Sequence, residues 1–288
     1  MNKRFPAAIL VFLFAGFYLL AQTPSARQKL PPRGVADGQI PAEMAWITLY
    51  TEKVLKNAQG LWEAKLMFGI EMVFVPAGEF LMGSPVGEEG REPDEGPVHR
   101  VFTNGIWIGK FEVTRSTWRT VMSEEDAPPG ERDLPQTGVS YRDIEKFLKA
   151  LQIESGLKFR LPTEAEWEKC CRGGNPSPLY GYLEDIAWHS RNSGGRPHPV
   201  GTKAPNGFGL YDMLGNAWEW CSDWYGGRYY ESSPILNPQG PARGQRRLNR
   251  GGGYLHSDNY LRSAHRNSQL PEIGKPIYGF RLVLDAAL

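Results

Sequence analysis

The chain has 288 residues, which is enough for one large domain or two small ones. Its net charge of +1, carried by scattered basic residues, leaves no basic stripe of the kind that phosphate binding requires, so no nucleic-acid partner is expected. The 33 Gly and 23 Pro beside nine Trp argue against a fold of long helices and long strands. They describe instead a core of large rings held by many turns.

The N-terminus runs from basic Met1-Asn2-Lys3-Arg4 through an apolar stretch, Phe5 to Ala21, into polar Gln22-Thr23-Pro24-Ser25. That order is the order of a secretory signal. The apolar stretch is short against the roughly 20 residues a spanning helix needs, so residues 1–26 are expected to direct export to the periplasm or outside the cell. Retention of the same segment as a membrane anchor is the alternative. Residues 27–41, rich in Pro, Gly, Gln and Arg and aperiodic, read as a linker. Trp46, Leu49, Val54, Leu55 and Leu61, with good helix formers between them, predict a leading helix within residues 42–68. The domain proper is expected over residues 69–288.

Two β-type runs between Glu71 and Ser84, broken at Pro76-Ala77-Gly78, predict a hairpin. An acidic, turn-rich loop follows from Glu88 to Pro97, then β-type residues from Val101 to Glu112, then a helix opening at Val113-Thr114-Arg115-Ser116. Ser140 caps a helix whose apolar residues Ile144, Phe147, Leu148 and Leu151 share one face, and Gly156 ends it. Thr163 and Glu166 form a second capping box, opening a short helix that Gly173-Gly174 stops. Beyond Gly173 only loops, isolated strands and buried tryptophans are expected. Trp218, Trp220 and Trp224 alternate as residues on one face of a strand would. Arg243, Arg246, Arg247 and Arg250 read as a solvated loop. The fold class is therefore α+β and irregular, with two short helices, short antiparallel strands and many loops.

Only three cysteines occur, Cys170, Cys171 and Cys221. One disulfide from Cys170 or Cys171 to Cys221 is open to this set, while adjacent Cys170 and Cys171 are poorly placed to pair with each other. At the end of a helix, far from the N-terminal end that acidifies thiols, Cys170 and Cys171 read as structural rather than catalytic.

The motif order is Phe74-Val75-Pro76-Ala77-Gly78, Met82-Gly83-Ser84, Arg160-Leu161-Pro162-Thr163-Glu164-Ala165-Glu166-Trp167-Glu168, Asn206-Gly207-Phe208-Gly209-Leu210-Tyr211-Asp212-Met213-Leu214-Gly215-Asn216-Ala217-Trp218-Glu219-Trp220, Arg250-Gly251-Gly252 and Gly279-Phe280-Arg281. It closely resembles the formylglycine-generating enzyme, or sulfatase-modifying factor, family, over about Glu71 to Leu284. The resemblance implies a variant of the C-type-lectin fold with bound calcium. It also implies a chemistry, in which two cysteines after the Gly-Gly hold copper, activate oxygen and oxidise a sulfatase cysteine to formylglycine.

The sequence departs from the family at that point. From Gly253 to Leu261 there is no thiol; His256 falls at the first copper-cysteine position and Gly253 at the active-site serine. Thiolates are the soft ligands that select Cu(I), so copper-dependent formylglycine generation is not expected. His256, Asp258 and His265 are nitrogen and oxygen donors suited to another transition metal, but an unbroken strand would turn His256 and His265 to opposite sides.

Resemblance to the family's second calcium site points to Asp212, Gly215, Ala217 and Glu219 as calcium ligands. Two carboxylates and backbone carbonyls along a glycine-containing turn suit that hard cation. The family's first calcium loop corresponds to residues 192–199 and is shortened. Trp218 falls where the family lines its substrate groove.

Three functions follow. The first is a peptide- or small-ligand-binding or accessory module, displaying Trp218, Tyr254, His256, Asp258, Asn259, Tyr260, His265 and Asn267, with Asn249, Ser257 and Ser268 beside them. Protein, peptide and small-molecule partners all fit it. The second is an oxidoreductase or tailoring enzyme with His256, Asp258 and Tyr254 as acid, base or ligand. The third is a sulfatase activator.

Overall fold

The computed structural model describes residues 40–286. The expected signal or anchor over residues 1–26 lies outside the described residues, as does the linker up to residue 39. The elements in order are β1 (Thr51–Lys56), β2 (Trp62–Leu66), β3 (Glu71–Val75), β4 (Gly78–Met82), β5 (His99–Thr103), β6 (Ile106–Gly109), α1 (Arg115–Val121), α2 (Tyr141–Ser155), α3 (Glu164–Arg172), α4 (Leu183–Ile186), β7 (Trp218–Trp224), β8 (Arg247–Arg250), β9 (Asn267–Gln269), β10 (Tyr278–Gly279) and β11 (Val283–Asp285).

A five-stranded antiparallel sheet has the order β1, β2, β3, β6, β11. Its strands β3, β6 and β11 carry core residues on both faces. Met72, Trp107 and Leu284 point into one core with α1, α2, Trp218 and Trp220, while Val73, Val75, Ile106, Ile108 and Val283 point into another with Trp167 and the cysteines. Both faces being covered explains why β6 is apolar without alternation. A second sheet runs β10, β7, β8, β9, with only β10 and β7 parallel, and β4 pairs with β5 apart from both.

The leading helix expected within residues 42–68 is not formed. Ala42–Leu49 is a 3-10 helix, and β1 and β2 then pair to edge the five-stranded sheet. The apolar residues read as a helical stripe include Val54, which serves a strand instead; tertiary pairing overrides local propensity there. The hairpin expected across Pro76-Ala77 is also corrected: β3 pairs with β2 and β6, and β4 with β5, so the break carries the chain from one sheet to another.

The helix signals fare better, because capping is local. Ser140 and Thr163 each complete a capping box, and Gly156 and Gly173 end α2 and α3 in the left-handed region. α1 opens within Val113-Thr114-Arg115-Ser116, as the sequence predicts, and Thr114 caps it. α4 is a single turn after Gly173, where no helix was expected.

Candidate functional site

The candidate site is built on β7 and the loop that connects β8 to β9. Gly251 and Gly252 open the loop with φ of +98° and +77°. A Cβ at Gly251 would sit 2.9 Å from Met213 O, and one at Gly252 would sit 3.0 Å from Leu261 Cγ, so both position and conformation demand glycine.

Buried arginines hold the rest of the loop. Arg250 donates from Nη1 to Ala264 O (2.8 Å) and His265 O, and from Nη2 to Ser263 O (3.0 Å) and Glu168. Arg250 is fully buried, which corrects its expected place in a solvated loop; α3 supplies the carboxylate that makes burial tolerable. Arg262 grips Glu95 through two contacts of 2.5 and 2.8 Å and Glu88 at 2.7 Å, and Arg266 is bidentate to Glu164 at 2.7 and 3.0 Å.

On this frame four rings meet. Trp218 lies 5.3 Å from His256 and 5.7 Å from His265, and Tyr260 lies 5.2 Å and 5.1 Å from the same two imidazoles, all between ring centroids. Trp218 and His265 are buried, His256 is half-buried, and Tyr260 is exposed at the mouth. The expectation that His256 and His265 face opposite sides is thus overturned. Period-2 alternation does not apply, because the segment is turns and a 3-10 helix over Asp258–Tyr260 rather than a strand.

The Trp218 indole meets His256 edge-on at 87°, with Nε1 3.3 Å from both imidazole nitrogens. Equal distances leave the N–H shared between the two nitrogens rather than aimed at one lone pair. Burial pushes the His256 pKa down, partly offset by a hydrogen bond with Gly253, which favours the neutral imidazole.

The other residues singled out from the sequence are dispersed around the rings. Tyr254 is buried and anchored through its backbone to Asn216 and to the Ser193 hydroxyl. Asp258 is engaged by Arg191 at 2.7 Å and lies 4.0 Å from His189 Nδ1. Asn259 is exposed, and Asn267 reaches the Tyr278 hydroxyl at 3.4 Å. Asn249, grouped with the displayed residues, is fully buried, and both atoms of its carboxamide lack a hydrogen-bond partner.

Sequence reasoning missed Glu112. It accepts from Ala217 N (2.9 Å) and Asn216 Nδ2 (2.8 Å), and so fixes the turn that delivers Trp218. In the sequence it showed only as the end of the β-type run from Val101. His189, buried 3.3 Å from Glu184, was missed altogether.

At the turn expected to hold calcium, Asp212 Oδ2 accepts from Gly201 N, while Oδ1 is buried without a partner. Glu219 is bidentate to Arg281 (2.5 and 2.7 Å) and accepts from Trp167 Nε1 (2.7 Å). Burial pushes Asp212 up to about 6, and burial together with the charges of Asp212 and Glu219 raises Glu112 well above the carboxylate range. Among the described residues no three His, Cys, Asp or Glu side chains group closely enough to hold a metal ion. A cation here would take Asp212 Oδ1, with backbone carbonyls supplying much of its shell. The orphaned oxygen and the excess of carboxylates over Arg281 fit that role.

All three cysteines are free and buried in the core on the far face of the five-stranded sheet from Trp218. Burial pushes Cys170 and Cys171 up to about 12 and raises Cys221 as well.

The fold defines a C-type-lectin-like domain whose four-ring cluster carries no thiol. Residues 62–286 match the family model described as "Sulfatase-modifying factor enzyme 1-like domain". The formylglycine-generating enzyme of Streptomyces coelicolor is 31% identical, over 75% of this chain and 90% of its own. The serine/threonine-protein kinase pkn1 of Chlamydia caviae is 34% identical over 73% of this chain, which spans only 37% of that protein's length. Among solved structures, PvdO from Pseudomonas aeruginosa superposes with a TM-score of 0.70 at 27% identity, over 81% of this chain and 97% of its own. The chain belongs to the sulfatase-modifying factor, or formylglycine-generating enzyme, family.

Proposed function

We propose that this family member is an exported module that binds a peptide or small ligand in the groove formed by Trp218, His256, Tyr260 and His265. The carrying observation is the four-ring cluster, assembled where the family resemblance puts copper thiolates. Tyr260 and half-buried His256 present their rings to solvent over buried Trp218 and His265, which offers a ligand a stacking surface and polar ring edges together. The chain's own thiols are no substitute, since they are buried in another core with raised pKa values. Calcium bound at Asp212, Gly215, Ala217 and Glu219 would stabilise the turn that carries Trp218. Export rests on the basic, apolar, polar order of residues 1–26.

Selection of a displayed random-peptide library on the purified protein tests the reading. Enriched peptides should lose binding to a His256→Ala variant; no enrichment, or enrichment indifferent to His256 and Tyr260, contradicts it.

A second reading, a tailoring enzyme with a non-cysteine site, is favoured by one feature. Burial keeps the His256 imidazole in its neutral form, available as a base or ligand. A stoichiometric transition metal in the purified protein, lost in His256→Ala, would support this reading over simple binding.

A further inference from the structure

A second cavity, sharing no residue with the ring cluster, opens between β4 and α3. It measures about 570 Å³, within the roughly 300 to 1,000 Å³ range of small-molecule sites. Phe80, Leu81, Val98, Pro176 and Phe208 supply apolar walls. Leu81 is 59% exposed, an unusual position for a leucine on a paired strand.

The polar wall comes from α3. Lys169 is 8% exposed, and its ammonium donates to Pro76 O at 2.7 Å and Thr103 Oγ1 at 3.0 Å. Both acceptors are neutral, and an ammonium has three donors, so one donor remains; the charge of Glu166, itself paired with Arg160, acts on it only from a distance. Beside it, Arg172 bonds Glu168 at 2.7 Å, but Glu168 also carries Arg250, so one carboxylate serves two guanidinium groups. Glu79, the acidic residue in the lining, is exposed and paired with Arg100 at 2.5 Å. Burying a cation without an anion is costly, and burial lowers the Lys169 pKa accordingly.

We propose that this cavity binds an aliphatic monocarboxylate, its chain against Phe80, Leu81, Val98 and Phe208 and its carboxylate on the ammonium of Lys169. The charge of the wall selects an anion, and the apolar lining selects a hydrocarbon body. Arg172 adds positive potential and one remaining Nη1 hydrogen, its other four donors being held by Glu168, Gly83 O and Pro176 O.

Calorimetric titration of the full chain with decanoate and with decanol tests the assignment. Decanoate should bind at one site and at least roughly tenfold more tightly than decanol, about 1.4 kcal/mol. Lys169→Met should abolish that preference. Leu81→Glu, at an exposed position that leaves the core intact, should weaken decanoate by a similar factor through like-charge repulsion. Absence of saturable decanoate binding overturns the proposal, as does equal affinity for decanol or indifference to both substitutions. Peptide binding at the ring groove should be unchanged by Leu81→Glu, so the two sites fail or stand separately.

Discussion

The Trp218 indole N–H is shared by the two imidazole nitrogens of His256, 3.3 Å from each. The contact orients His256, and Trp218 is itself fixed by the turn that Glu112 holds. Replacing His256 or Tyr260 by Ala should therefore cost little stability, about 1 kcal/mol or less for these partly exposed rings. Thermal denaturation checks this. A large loss of Tm would mean that the rings serve the core rather than the groove.

The loop depends on two conditions, glycine at its entry and a carboxylate beneath Arg250. Gly251→Ala places a Cβ 2.9 Å from Met213 O at a φ of +98°, and should destabilise by about 2 kcal/mol or more. Glu168→Gln leaves Arg250 and Arg172 without their shared carboxylate. It should cost about 3 to 5 kcal/mol, read from denaturant midpoints.

Much of this frame was legible in the sequence where the signal was local. Ser140, Thr163, Gly156 and Gly173 mark helix ends because caps are recognised within four residues. What was not legible depended on distant partners. Val54 joins a strand because β2 pairs with it, and Arg250 is buried because Glu168 lies 82 residues away. The meeting of His256 and His265 was missed for a related reason. An irregular loop follows no period, so the side on which a ring lies is fixed by tethers such as Arg262 and Arg266.

Asp223 gives a pH dependence with a definite sign. Burial, and then the charge of Glu164, pushes it up to about 7. A carboxylate whose folded pKa is raised contributes stability that is fully present below its unfolded pKa near 4 and is lost as pH rises through about 7. Stability should fall between pH 4 and pH 7 from this group, by an order of a few kcal/mol. Asp223→Asn, which keeps an acceptor for Glu164 N, should flatten that part of the profile measured by denaturant titration.

Calcium should raise the Tm of the wild-type chain, and a chelator should reverse the gain. Asp212→Ala removes the orphaned oxygen and should abolish the response. A Tm indifferent to calcium in the wild type would remove the cation from the account.

The three thiols should react with a thiol reagent only after denaturation, when three per chain become available. Buried groups with pKa values raised to about 12 for Cys170 and Cys171 contain almost no thiolate at neutral pH. Rapid labelling of the folded chain would contradict the buried positions.

The central claim is that the groove around His256 recognises a ligand without thiol chemistry. A peptide enriched by selection on the wild-type chain should bind saturably, and its affinity should fall at least roughly tenfold in both His256→Ala and Tyr260→Ala while Tm changes little. Unchanged affinity in both variants would contradict the claim. So would conversion of a sulfatase's cysteine to formylglycine by the purified chain.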